Sequence, residues 1–165
     1  IGLSFNALAE ALGAFQGTGR RYDVLGNVDD ILVIDDYAHH PTEIKATIQA
    51  AKDSGAGRIV AVFQPHRYSR TLAMCEDFAD AFDQAAVVIL NEIYGAFEKP
   101  IPGVTAHLIE AKIKDKDENK PVEYAATLDD TLDLLRRYTK SGDVVLIMGA
   151  GNIRIVGQRF VDERK

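Results

Sequence analysis

The 165-residue chain is 47% apolar and 27% charged, an ordinary balance for a globular domain large enough to bury one core without staples. A formal net charge of −6 speaks against a duplex nucleic-acid binder, whose contact face is normally basic. No apolar run approaches the roughly 18 residues that cross a bilayer. The one cysteine, Cys75, cannot close an internal disulfide, and no secretory leader pattern occurs, so a reducing, cytosolic compartment is expected.

In chain order, Phe5, Leu8, Leu12 and Phe15 recur at helical spacing, with Ser4 as the N-cap. Gly17, Thr18 and Gly19 then break the chain and read as a hinge. Residues 1–19 are therefore set apart from a domain over residues 20–165. Residues 21–28 suit a strand, and the apolar run Ile31 to Ile34 follows closely enough to form a hairpin with it. Pro41 to Asp53 reads as a helix with Pro in its first turn. Arg58 to Phe63 is a buried strand. Thr71 to Phe82 is a single helix whose stripe is Leu72, Cys75, Phe78 and Phe82, with Cys75 a small buried hydrophobe rather than a catalytic thiol.

Ala86 to Leu90 is a further strand, followed by a long loop over residues 91–103 carrying two prolines. A helix is predicted over residues 105–113, and the charged run Lys112 to Lys120 is a solvated surface segment. Pro121 to Tyr124 is a short strand. Leu128, Leu132 and Leu135 mark an amphipathic helix, Val144 to Met148 the last strand, and Ile153 to Val161 a closing helix. Alternating strands and helices, with continuous β-branched runs, predict an α/β fold: a Rossmann-like, doubly wound, mostly parallel sheet with an antiparallel N-terminal edge hairpin. Ligands bind such sheets outside the carboxyl ends of the strands.

Three strand ends carry chemistry. After the first buried strand comes DDYAHHP, Asp35 to Pro41, which puts two carboxylates, a phenol and two imidazoles at a helix start. Anions are favoured there, and a carboxylate at a strand end suits ribose hydroxyls or a metal-bound water. The plainer alternative is that Asp35 ends the strand and His40 caps the helix. After the second comes QPHRYSRT, Gln64 to Thr71, in which His66, Arg67 and Arg70 crowd one loop. Paired arginines suit a carboxylate or phosphate, unless they are spent on surface acids such as Glu76 or Asp80. After the last comes GAGN, Gly149 to Asn152. This is better read as a sharp turn bordering the cleft than as a dinucleotide fingerprint, because no acidic residue follows at the required distance. No G-x-x-x-x-G-K-[ST] phosphate loop occurs, and no familiar zinc spacing links the histidines.

These motifs carry a resemblance. RRYDVLG (Arg20 to Gly26), DDYAHHPTEI (Asp35 to Ile44), FQPHRYSRT (Phe63 to Thr71), EKPIPG (Glu98 to Gly103) and MGAGNI (Met148 to Ile153) look like the C-terminal domain of the Mur ligase family, in order and approximate spacing. FQPHRYSRT is similar to the alanine-adding branch, whereas the branch that recycles murein tripeptide usually differs in that loop. The resemblance implies a three-domain bacterial ligase of peptidoglycan synthesis, with one domain for the UDP-sugar, a central ATPase domain, and this one. Its substrates would be ATP, UDP-N-acetylmuramate and L-alanine. Mg²⁺ would neutralise phosphate charge, and an acyl phosphate would be attacked by the alanine amine.

By the same resemblance, Arg21 approaches ATP from the hinge and Asp36 lies near the ATP ribose. Tyr37, His39, His66, Arg67 and Arg70 surround the amino-acid carboxylate and the product. No metal ligand is assigned within this chain. Lacking the phosphate loop, the chain is read as an excised domain that does not ligate alone. The competing readings are the tripeptide-recycling ligase and a free-standing Rossmann-type nucleotide-binding module using Gly149 to Asn152.

Overall fold

In the computed structural model, which describes residues 2, 4–14 and 19–165, the most apolar runs of the sequence become the central strands of one sheet. The elements are α1 (Phe5–Gly13), β1 (Asp23–Val28), β2 (Ile31–Asp36), α2 (Pro41–Asp53), β3 (Arg58–Phe63), α3 (Tyr68–Ala73) and α4 (Cys75–Ala81). They continue with β4 (Val87–Asn91), α5 (His107–Lys116), β5 (Val122–Ala125), α6 (Leu128–Tyr138), β6 (Asp143–Met148) and α7 (Arg154–Asp162). The sheet order is β1-β2-β6-β3-β4-β5, parallel throughout except for the antiparallel β1–β2 edge. The expected doubly wound fold with an N-terminal hairpin is thus observed. Asp29 (φ 51°) and Asp30 (φ 62°) close the hairpin with two left-handed residues, the geometry that matches strand twist in a two-residue turn.

Strand residues alternate between two cores, as the period-two pleat requires. Ile59, Ala61 and Phe63 pack with Ile44 and Ile48 of α2, with Phe78 and Phe82, and with Ile109 and Ile113 of α5. Val60, Val62, Val145 and Ile147 pack on the other face with Leu132 and Leu135 of α6 and Val156 and Phe160 of α7. Helices following β2 and β3 therefore cover one face, and the helix following β6 covers the opposite face. The connections diverge on both sides of β6, the kind of switch point outside which open α/β sheets bind ligands.

Several boundaries move. The helix expected over residues 71–82 breaks at Met74 (φ −128°, ψ 20°) into α3 and α4. The break carries Leu72 outward to 51% exposure and leaves Cys75 only partly buried, while Phe78 and Phe82 stay in the core. β2 runs on through both carboxylates to Asp36, and α5 extends into the charged run as far as Lys116. Ser4 caps α1, accepting from the Ala7 N–H at 3.2 Å. α1 buries none of its residues, with Phe5, Leu8 and Leu12 exposed. Phe15 and the hinge residues Gly17 and Thr18 lie outside the described residues. No helix among the described residues is long and apolar enough to cross a membrane.

Candidate functional site

The register of the central strands places the site. Asp36 at the end of β2 pairs with Met148 of β6, and Met148 pairs with Phe63 of β3. DDYAHHP, GAGN and QPHRYSRT, up to 117 residues apart in sequence, therefore leave the sheet side by side. The first and third loops meet directly. The His39 and His66 rings lie edge-to-face with centroids 5.6 Å apart, and His39 also meets Tyr37 edge-on at 5.2 Å.

The DDYAHHP loop is held largely through backbone N–H groups. Asp36 is buried, with Oδ2 accepting from the Tyr22 N–H at 2.8 Å and Oδ1 from the Ala38 N–H at 2.7 Å. These bonds clamp residues 20–22 onto the start of the DDYAHHP loop, and the Tyr37 N–H donates back to the Arg20 carbonyl at 2.8 Å. Glu43 accepts from the N–H groups of His39 and His40 and completes the capping box of α2. Burial raises the Glu43 pKa. The two N–H bonds, with the charges of His39 and Arg21, outweigh it and hold the carboxyl below its ordinary value. The His39 Nδ1 lies 3.0 Å from the Tyr37 carbonyl. A carbonyl only accepts, so Nδ1 bears the hydrogen directed at it.

Among the described residues the guanidinium groups of the QPHRYSRT loop form no salt bridge with the nearby surface acids. Glu76 and Asp80, the surface acids that might have neutralised them, pair instead with Lys112 and Lys116. Among the described residues neither Arg67 nor Arg70 forms a salt bridge, and the Arg70 Nη1 is buried without a hydrogen-bond partner. The same is true of the His66 Nδ1. Burial first, then the positive charges of His39, Arg70 and Arg67, hold His66 below the usual histidine value of 6.5. The site thus combines guanidinium groups outside any salt bridge with a ring whose burial and positive neighbours disfavour its charged form, an arrangement suited to receiving a small anion.

Four features escaped the motif reading. Arg20, rather than its neighbour Arg21, is the committed arginine. Its Nε donates to Asp35 Oδ2 at 3.2 Å, and its terminal nitrogens donate to the carbonyls of Gly149 (2.7 Å) and Gly151 (3.2 Å). Arg21 is half exposed, 3.8 Å from Glu43 and 5.6 Å from the Tyr37 ring centre. Arg154 of α7 joins the fully buried Asp35 at 2.6 Å and also holds Asp23 at 2.8 Å. Gln64 bridges two asparagines, donating to Asn91 Oδ1 (2.8 Å) and Asn152 Oδ1 (2.9 Å) and accepting from the Asn152 N–H at 3.1 Å. Tyr94, from the loop after β4, stacks on His66 at 6.0 Å with planes 16° apart.

A Cβ on Gly151 would overlap Gln64 Oε1 and approach the Tyr94 ring to 2.8 Å, so this glycine serves close packing of the turn. Among the described residues no group of three His, Cys, Asp or Glu side chains converges as a metal site.

Comparison with known proteins bears on what these loops serve. A family model described as Mur ligase, glutamate ligase domain, matches residues 20–151. The chain is 48% identical over 165 residues to a UDP-N-acetylmuramate–L-alanine ligase of Pelotomaculum thermopropionicum, covering 100% of this chain and 36% of that protein. It is 47% identical over 161 residues to the enzyme of the same name from Desulforamulus reducens, covering 98% and 35%. The chain thus spans about a third of the length of the curated relatives it matches. Among solved structures, the UDP-N-acetylmuramate–alanine ligase of Thermotoga maritima superposes with a TM-score of 0.75 at 30% identity, covering 96% of this chain and 34% of that one. A murein peptide ligase of Psychrobacter arcticus superposes with a TM-score of 0.75 at 29% identity, covering 98% and 33%.

Proposed function

This chain belongs to the Mur ligase family, and we propose that it is the amino-acid-recruiting C-terminal domain of a UDP-N-acetylmuramate–L-alanine ligase, an ATP-dependent, amide-forming enzyme of peptidoglycan precursor synthesis. The observation that carries this reading is the unneutralised Arg67–Arg70 turn set against His39 and His66. An alanine acylated at its amine keeps its carboxylate as an anion from substrate through product. Two guanidinium groups without acidic partners suit that persistent charge.

In this proposal Arg67 and Arg70 hold the carboxylate, while Tyr37, His39 and His66 line the amino acid and the product. Arg21 and Asp36 face ATP. Each Asp36 oxygen already accepts one backbone N–H and retains a second lone pair for a ribose hydroxyl. In the same reading the sugar nucleotide, Mg²⁺ and most contacts to ATP belong to the rest of the enzyme. Residues 1–19 form the tail of the preceding domain and the hinge, which would account for the uncovered Phe5, Leu8 and Leu12 of α1. The enzyme works in the reducing cytosol, and this domain alone releases no phosphate from ATP.

The test is made in the full-length ligase. Arg70→Ala is expected to raise the KM for alanine about tenfold or more, because a hydrogen bond to a charged group contributes about 1.5–3 kcal/mol. An unchanged KM would remove Arg70 from the carboxylate site. The tripeptide-recycling reading has one observation behind it, the equal superposition on the murein peptide ligase. Assaying alanine against murein tripeptide decides between the two, and a preference for tripeptide would reverse the assignment.

A further inference from the structure

The turn that presents Arg67 and Arg70 is poorly able to hold itself. α3 has only six residues, and helices that short are unstable without tertiary support. Its N-cap position is Arg67, whose side chain makes no capping bond and whose φ is +71°. The first amides of a helix need acceptors from elsewhere. They find one in a loop 29 residues downstream. Glu98 Oε2 accepts the Ser69 N–H at 3.1 Å, and Glu98 Oε1 accepts the Ser69 hydroxyl at 2.7 Å.

The stitching continues along both segments. The Arg67 N–H donates to the Tyr94 carbonyl at 2.9 Å, and the Tyr94 N–H donates to the Pro65 carbonyl at 2.8 Å, forming an isolated parallel bridge between His66 and Tyr94. Gly95 lies against the Tyr68 ring closely enough that a Cβ would sit 3.0 Å from it. Ala96 (φ 47°) and Phe97 (φ 71°) are consecutive left-handed residues without glycine's freedom, a conformation that persists only where neighbours enforce it. The Glu98 N–H closes this turn on the Gly95 carbonyl at 2.9 Å, aiming the carboxylate back at Ser69.

We propose that Glu98 is a positioning residue for the anion site: it caps α3 from outside and sets the placement of the Arg67–Arg70 turn without touching the ligand. The proposal rests on the reading of that turn as the holder of the amino-acid carboxylate. Three further observations agree with it. The Ser69 hydroxyl and N–H bonds hold the Glu98 carboxyl below its ordinary value and outweigh burial, so it is ionised whenever the enzyme works. Its charge faces Arg67 without forming a salt bridge, which leaves the guanidinium available. Finally, the two segments leave adjacent parallel strands, β3 and β4, so the clamp bridges neighbouring strand ends.

The test uses the full-length ligase and reads KM for alanine against kcat and KM for ATP. Glu98→Ala is expected to raise the alanine KM about fivefold, the loss of roughly one net hydrogen bond. At saturating alanine kcat should stay within about twofold, and KM for ATP should not change. Glu98→Gln keeps one acceptor but cannot accept from both Ser69 groups as well, and should recover part of the loss. Ser69→Ala added to Glu98→Ala should cost nothing more, because the shared contact is already gone. If Glu98→Ala leaves the alanine KM unchanged while Arg70→Ala raises it, the positioning role is overturned and the anion site stands. An unchanged KM in both variants overturns the anion site itself. Equal losses in kcat and in both KM values would reduce Glu98 to general structural support and overturn the proposal.

Discussion

Replacing Asp35 with asparagine should destabilise the domain by about 2 kcal/mol, although no volume is lost. Asp35 is fully buried, and one of its oxygens accepts from both Arg20 (3.2 Å) and Arg154 (2.6 Å). Asparagine retains a carbonyl acceptor but removes the charge that strengthens both bonds. Charge assistance separates about 1.5–3 from about 0.5–1.5 kcal/mol, so roughly 1 kcal/mol is lost per bond. The asparagine amide adds a buried donor where the other carboxylate oxygen has no hydrogen-bond partner among the described residues, at a further cost of about 1 kcal/mol or more. Against this, the guanidinium side chains are 26% and 34% exposed, so solvent takes up part of the released charge and the sum is cut back to about 2 kcal/mol. For a domain of this size that is a fall in Tm of about 4–8 °C. Urea unfolding and calorimetry of the 165-residue chain would measure it. A change below about 0.5 kcal/mol would refute the view that Asp35 anchors the arginine gripping the Gly149 and Gly151 carbonyls.

Gly151→Ala should cost about 1–3 kcal/mol by pushing Gln64 away from Asn152 or Tyr94 away from His66, as overpacking does; urea unfolding within error of the parent would show that the turn relaxes freely. His66 gives the stability a pH dependence. Its folded pKa lies below the unfolded value of 6.5, so the unfolded chain binds the proton first, and stability is complete above 6.5 and falls as pH drops from there towards the folded pKa. His66→Gln should flatten this part of the stability–pH curve, and an unaltered acid-side slope in urea titrations would assign it to another group.

What could be read beforehand was whatever is local. Continuous β-branched runs identified the central strands, because a strand buried on both faces has no reason to alternate. DDYAHHP and QPHRYSRT stood out because each follows such a run, where an α/β sheet exposes its ligand-binding edge. Their adjacency was less legible, because β6, the last strand in the chain, inserts between β2 and β3. Arg20 and Arg21 are neighbours of one type, and nothing local distinguishes them. Arg20 was passed over because its partners lie 15, 129 and 131 residues away. Gln64, Asn91 and Asn152 are likewise unremarkable singly and become a network only when β3, β4 and β6 lie side by side.

The break at Met74 shows why a motif does not carry its own geometry. Apolar spacing continues across it, since Phe78 and Phe82 remain buried on the expected side, so periodicity alone merges α3 with α4. The start of α3 has anchors of its own. The Arg67 backbone is fixed to Tyr94 and the Ser69 amide to Glu98, both outside FQPHRYSRT. The direction of the arginines therefore depends on the loop after β4 as much as on the loop that bears them. A chain that shared FQPHRYSRT but lacked an acceptor at the position of Glu98 would carry the same side chains on a turn free to rotate. The proposed anion site is then a property of two neighbouring strand ends, and only part of it lies within one motif.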